Sequence, residues 1–450
     1  MIPRFISMKE TILKKLAEFI AIESVSTDPK RAADVLLATA FLRKELELLG
    51  CRVTILKSLN SPPLIIGELS VDPRVKTIGI YGHYDVQPED PMKQWLSPPF
   101  KLTRRNGKLF ARGVADTKGH VIQNIEAVRR LVENNKLRNN IVFIFEGGEE
   151  INSDGFEEYA KKAPDIFSKI DVFYIVDLGM QAKNQPSIYF GLRGIVTFEL
   201  DIKIGETDLH SGVYGNRVFN PIHVIGQLIT QIKDLKTNKV LIPGFYDGVR
   251  KPTKRELSLL RAGYLTVAQE AKKAQTYKII TIDNIHPSIF TKIMPSLDFN
   301  GVTSGYAGEG FKTVIGATAT LKFSCRLVAY QTPADIVQKV TKFIKQIMPE
   351  RVKYHLAVES QAAPVLVDIM NRYVKKTAAV FESVFGNKTR YTMTGGSIPA
   401  AEILHRLYHK PMLLIGFTLP DNQIHAPNEN FDEEMFWKGI DVLAAIYSQI

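Results

Sequence analysis

Cysteine is nearly absent from this sequence: Cys51 and Cys325 are the two in 450 residues, far apart and in no C-x-x-C pair. That excludes a disulfide framework and a cysteine-built metal site, and it points to a reducing compartment, with the cytoplasm as the expected location. Also lacking is any run of about 18 apolar residues, so no membrane partner is expected. The opening segment MIPRFISMKETILKKLAEFIAI interrupts its apolar residues with Lys9, Glu10, Lys14, Lys15 and Glu18, unlike the unbroken core of a signal peptide. Its Ile12, Leu16 and Ile20 recur as on one face of a surface helix. No low-complexity tract or internal repeat is evident, and the 30 Gly and 23 Pro are ordinary usage, which excludes collagen-like and disordered classes.

What remains is a globular chain with 45% hydrophobic residues, 23% charged residues and a net charge of +11. Its length predicts two or three domains. The charge is uneven. Residues 233–278 hold 11 basic against 4 acidic residues, a surplus of seven in a stretch with few aromatics and no nucleic-acid motif. A solvated surface explains it better than a nucleic-acid partner, with steering of anionic substrates a weaker alternative.

The first 190 residues predict helices near 8–22, 31–49 and 118–135, separated by short β-branched or aromatic runs at 53–56, 64–69, 77–81, 141–145 and 172–176. Runs without strict alternation read as strands buried on both faces, hence an α/β layer with a mostly parallel sheet. From about 195 the order becomes β-α-β-β-α-β, which suits a small ferredoxin-like layer with one antiparallel sheet. It comprises strands near 196–204, 293–299, 317–329 and 353–359, with helices at 218–236 and from Pro333. After 361 the first texture returns, with a helix to about 385, strands at 389–394 and 411–417, and a closing helix at 432–448. The expected organisation is a discontinuous α/β domain, 1–194 and 361–450, interrupted by an inserted domain, 195–360.

Acidic residues and histidines gather where the first set of strands ends. His83 and Asp85 follow 77–81, Asp116 stands in GVADTKG before a helix, Glu149 and Glu150 follow IVFIFEGG, and Asp177 ends DVFYIVD. Open α/β sheets bind ligands beyond the carboxyl ends of their strands. His425 comes from a late loop, IHAPNEN. Singly each has a plainer explanation: a lone histidine is more often structural than a ligand, paired glutamates are commonly a solvated turn, and Asp before a helix is commonly an N-cap. Two glycines before the glutamate pair allow backbone conformations that a ligand site often needs. Jointly, two histidines and three carboxylates, with a fourth carboxylate left as a base, suit a dinuclear zinc site. Three carboxylates and a bridging hydroxide would balance two divalent ions, and such a pair lowers the pKa of the water between them.

The motifs GHYDVQP, GVADTKG, EGGEE, the isolated Asp177, DLHSG, KTVIG, CRLV, GGSIP and IHAPNEN run in order from about 80 to 430. They resemble those of the dinuclear zinc amidohydrolase family of carnosine-type dipeptidases, carboxypeptidase G-type enzymes, aminoacylases and acetylornithine or succinyl-diaminopimelate deacylases. GGSIP and CRLV lean towards the dipeptidase branch. The resemblance implies that His83 and Asp177 hold one metal and Glu150 and His425 the other, with Asp116 bridging. Zinc is expected, manganese or cobalt being alternatives. It implies Glu149 as general base and acid, Asp85 as the partner of His83, and a cis peptide between Asp116 and Thr117. His210 would reach across a homodimer, formed through the inserted domain, to steady the oxyanion. Arg326, with Thr313 and Ser397, would hold a free substrate carboxylate. The segment VDLGMQ, beginning one residue before Asp177, departs from the carnosine-type pattern. Dipeptide and N-acyl amino acid therefore both stay open as substrates. An inactive scaffold relative is the third alternative, though no ligand or base of the pattern is missing.

Overall fold

The fold is described from a computed structural model covering residues 2–59, 61–263 and 265–450, with side chains from residue 8 onward. Two compact units emerge. The first comprises Met1–Phe190, Val367–Thr392 and Ile398–Ile450; the second comprises Gly191–Leu366 and Met393–Ser397.

The first unit is built on an eight-stranded sheet. Its spatial order is Arg52–Leu56, Leu64–Leu69, Asn140–Glu146, Thr77–His83, Val172–Val176, Met412–Ile415, Ser187–Tyr189 and Arg390–Thr392. The four strands from Asn140–Glu146 to Met412–Ile415 are mutually parallel. The first two strands of the order run antiparallel at one edge. All five residues of Val172–Val176 and all four of Met412–Ile415 are buried, which explains why these runs show no alternation: both faces are covered by helices. Helices Ile2–Ile20, Lys118–Glu133, Arg372–Phe385 and Glu433–Gln449 pack together with apolar stripes such as Leu16, Ile125, Phe381 and Ile446. The face of the first helix predicted from Ile12, Leu16 and Ile20 is buried, none of the three being more than 2% exposed.

One glycine in this sheet is dictated by close packing. A Cβ on Gly416, just past Met412–Ile415, would lie 1.5 Å from the carbonyl oxygen of Leu178. The carbonyl of Ile415 accepts the N–H groups of both Asp177 and Leu178, at 3.0 and 3.1 Å, so the two chain ends cannot part without losing those bonds. Gly416→Ala is therefore expected to cost about 3 kcal/mol, the upper part of the range for overpacking. Thermal unfolding measures it; an unchanged midpoint would show that the Asp177 segment yields freely.

The second unit carries a four-stranded antiparallel sheet in the order Ser296–Ser304, Thr318–Leu327, Gly194–Lys203, Lys353–Ala362. Alternation is clean in the two central strands, Thr318–Leu327 and Gly194–Lys203, because one face packs on helices Pro221–Ile232 and Pro333–Ile347. Val196, Phe198, Leu200 and Ile202 point inward from one strand, and Ala319, Leu321, Phe323, Cys325 and Leu327 from its neighbour. That phase leaves Arg326 off the core face. The basic stretch, which reads as loop, contains two short helices, Lys254–Arg261 and Val267–Lys273, and a third, Pro287–Ile293, follows it. Two of them begin with capping boxes, Thr253 with Glu256 and Thr266 with Gln269, which satisfy backbone donors without an apolar stripe. Both cysteines are buried and unpaired. Among the described residues no helix is long and apolar enough to cross a membrane.

Candidate metal centre

Strand order does the assembling. Asn140–Glu146, Thr77–His83 and Val172–Val176 are neighbours in the sheet, so the segments leaving their carboxyl ends, with Glu149 and Glu150, His83 and Asp85, and Asp177, emerge side by side. His83 is the last residue of its strand and is fully buried. Its Nε2 lies 3.0 Å from Asp116 Oδ1 and 3.8 Å from Asp177 Oδ1. Its Nδ1 faces the carbonyl oxygen of Asp85 at 3.0 Å, with the Asp85 carboxylate at 3.4 Å. The ring orientation that leaves Nε2 for a ligand thus comes from the backbone of Asp85 as much as from its side chain.

The Asp85 carboxylate has further partners. Ser26 Oγ donates to it at 2.7 Å, and the N–H groups of Glu149 and Glu150 donate at 3.3 and 3.0 Å. Asp85 therefore pins the one-turn helix Glu149–Ile151. Glu146 closes the same loop from below: its carboxylate accepts from Tyr81 Oη at 2.5 Å and from Ser153 Oγ at 3.0 Å. The glycines of EGGEE serve a purpose other than unusual dihedrals. Neither has a positive φ, and a Cβ on Gly147 would meet the ring of Tyr84 at 2.5 Å.

Asp116 stands in the turn before helix Lys118–Glu133, and its peptide bond to Thr117 is cis. Two side chains anchor that helix start. Thr117 Oγ1 donates to the carbonyl of His83 at 3.0 Å, and the buried Lys118 donates to the carbonyls of Phe19 and Ile22 at 3.0 and 2.7 Å. Asp116 divides its two oxygens: Oδ1 faces His83, and Oδ2 lies 2.8 Å from His425 Nε2. His425, at φ 62°, also approaches Glu150 Oε2 at 3.4 Å. Gln87 Nε2 donates to that same oxygen at 2.7 Å, while Glu150 Oε1 is buried with no partner.

The donors fall into two groups that share Asp116: His83, Asp116 and Asp177, and Asp116, Glu150 and His425, the ligand atoms of each lying within 4.8 Å of one another. Burial pushes Glu149 and Asp177 well above the usual carboxylate range; the other acids of the cluster push the same way, against the pull of His83. Burial and Asp116 raise Glu150 as well. Against the effect of its own burial, hydrogen bonds from His425 and His83 hold Asp116 low, and His425 is pushed up to about 10 by Asp116 and Glu150. Four crowded acids, an orphaned Glu150 oxygen and two imidazoles make a set that divalent ions would neutralise, and nitrogen with carboxylate oxygen, without thiolate, suits zinc.

The remaining expected residues lie in the second unit, in two pairs. His210 is exposed at the end of Leu209–His210, which pairs with Val314–Ile315, and Thr313 accepts the N–H of Ser211 at 3.1 Å beside it. Arg326 Nη1 donates to Ser397 Oγ at 3.2 Å. Beside this pair, Arg193 donates through Nη2 to the Met294 carbonyl at 3.2 Å and Ser296 Oγ at 3.0 Å, and burial together with the Arg326 charge lowers its pKa to about 10. Sequence reasoning missed Arg193, Gln87, Arg112 and Glu429. The signal for Gln87 and Glu429 was present, since both stand inside GHYDVQP and IHAPNEN.

The sequence model of "Peptidase family M20/M25/M40" matches residues 79–449. Human Beta-Ala-His dipeptidase is 30% identical, over 98% of this chain and 90% of its own length. The Cys-Gly metallodipeptidase of Schizosaccharomyces pombe is 29% identical, over 98% and 96%. Among solved structures, human carnosine dipeptidase 1 superposes with a TM-score of 0.86 at 29% identity, covering 99% of both chains. The dipeptidase Dug1p of Saccharomyces cerevisiae gives 0.88 at 27%, covering 98% of this chain and 96% of its own. Its α/β architecture is thus that of metallodipeptidase structures, and the chain belongs to peptidase family M20/M25/M40.

Proposed function

We propose that this chain is a metal-dependent dipeptidase, cleaving the peptide bond of dipeptides or the last bond before a free C-terminus. The observation that carries the reading is Asp116, one oxygen on each of two imidazoles, with a carboxylate completing each group. Two divalent ions, zinc foremost, would be held by His83, Asp116 and Asp177 and by Asp116, Glu150 and His425. When bound, such ions polarise the scissile carbonyl and acidify water.

Glu149 takes the proton of the attacking water and passes it to the leaving amine. Asp85 keeps the turn that carries this glutamate in place, accepting the N–H groups of Glu149 and Glu150. Arg326 and Ser397 hold the terminal carboxylate through a planar, charge-assisted contact. His210 steadies the oxyanion and acts in the partner's centre of a homodimer formed through the second unit. The substrate is a small peptide and the enzyme cytoplasmic; neither nucleic acid nor a membrane enters this reading.

A panel of dipeptides and N-acyl amino acids, assayed with zinc, cobalt and manganese, tests it. Dipeptides are expected to turn over; turnover confined to N-acyl amino acids would replace this reading with a deacylase. Arg326→Met is expected to raise KM for dipeptides by about ten- to a hundredfold, the worth of one charge-assisted hydrogen bond, and to leave C-terminally amidated substrates unaffected. Equal losses on both would remove the carboxylate role. Mixing His210→Ala with Asp177→Asn protein is expected to restore part of the activity that each variant lacks alone, and no recovery under subunit exchange would count against a shared centre.

A further inference from the structure

The loop that carries His425 ends at Glu429, whose side chain has no exposed surface. Both its oxygens are engaged, and every donor comes from the segment leading to Asp116. Arg112 Nη1 and the Gly113 N–H donate to Oε2 at 2.8 and 3.0 Å; the N–H groups of Ala115 and of Asp116 itself donate to Oε1 at 2.8 and 3.1 Å. The backbone carbonyl of Glu429 accepts the Ala111 N–H at 3.1 Å, fixing the same two segments one step further back. Arg112 is held in turn by the Pro88 carbonyl at 2.9 Å, with its guanidinium 5.4 Å from the centre of the Trp95 ring.

A further buried carboxylate beside an already acidic cluster is electrostatically costly, and a neutral side chain would fill the volume. What a carboxylate provides is four accepting positions in fixed directions. Three of them hold the amides of Gly113, Ala115 and Asp116, in an irregular turn that no helix or sheet ladder organises. We infer that Glu429 is a positioning residue for the divalent-ion centre. It clamps the Asp116 turn to the His425 loop so that the oxygens of Asp116 face both imidazoles before any ion arrives. The inference rests on the reading of Asp116 as the shared ligand. Without the clamp, ion binding itself must order the turn, and affinity falls by that ordering cost.

Glu429→Gln keeps the volume but turns an NH2 group towards Arg112 and the Gly113 N–H. In the ion-free protein, hydrogen exchange of the amides of Gly113, Ala115 and Asp116 is expected to accelerate. Zinc titration against a competing chelator is expected to show binding weakened by about ten- to a hundredfold, the usual effect of losing a group that orients a ligand. Ile446→Ala, a core truncation in helix Glu433–Gln449, serves as the control: it lowers thermal stability and is expected to leave zinc affinity unchanged. If Glu429→Gln does not accumulate folded, Glu429→Asp, which keeps the charge but loses the reach, undergoes the same measurements with the same expectation. Affinity within twofold of wild type, or an equal loss in Ile446→Ala, would overturn the proposal. If the wild type itself takes up no zinc, the Asp116 reading and this one fall together. The exchange rates in the ion-free protein show separately whether the clamp exists.

Discussion

Glu149→Gln is expected to lower kcat by about a hundred- to ten-thousandfold while leaving KM and bound metal close to wild type. A positioned proton carrier contributes roughly 10²–10⁴-fold, and the amide is nearly isosteric but cannot take up a proton. The substitution leaves the scaffold alone, because the turn is held by backbone N–H groups donating to Asp85 rather than by the Glu149 side chain. Glu149 does not belong to either donor group that shares Asp116, so metal content should be unaltered. A fall in kcat with constant KM is the signature of an interaction made only in the transition state. Steady-state kinetics together with metal analysis of the purified variant decide the matter. A kcat within tenfold of wild type would remove Glu149 from proton transfer, and a parallel loss of metal would recast it as a ligand.

The second large effect is expected from Asp116→Asn. One carboxylate serves both donor groups, Oδ1 towards His83 and Oδ2 towards His425, and an amide can offer only its single oxygen to one side. Removing a buried, hydrogen-bonded charge costs about 3–5 kcal/mol, equivalent to a loss of more than a hundredfold in retention. Both ions should be affected. Asp177→Asn, in contrast, touches one group only and is expected to weaken one ion while the other stays. Metal content after dialysis, read for both variants, separates the cases. Retention of one ion at native affinity by Asp116→Asn would mean that the two groups do not share a ligand.

Much of the framework was legible because the local signals were strong. Short β-branched runs at 77–81, 141–145 and 172–176 are the cores of strands Thr77–His83, Asn140–Glu146 and Val172–Val176, and alternation in the second unit marked its half-buried sheet. Helix Pro399–Tyr408 escaped notice because it follows a glycine pair and is short, with Ala400, Ala401, Ile403 and Leu404 buried. The small sheet of Thr103–Arg105, Lys108–Phe110 and Asn430–Asp432 joins segments over 300 residues apart, and three-residue strands carry no readable period. Glu429 stood inside the motif IHAPNEN, but its role was not legible there: its partners Arg112 to Asp116 are equally distant in sequence, and a buried acid looks like any other acid until its donors are known.

The sequence alone determined the chemistry available: which imidazoles and carboxylates exist, that thiolates do not compete with them, and that all but one leave the end of a predicted strand or precede a predicted helix. Only the tertiary structure decided which of these meet. Side-chain type is a local property, whereas adjacency depends on how parallel strands are ordered through long crossovers. That order is set by burying apolar faces from distant segments at once. It put Asn140–Glu146, Thr77–His83 and Val172–Val176 side by side, turned one oxygen of Asp116 to each histidine, and delivered His425 and Glu429 from the far end of the chain.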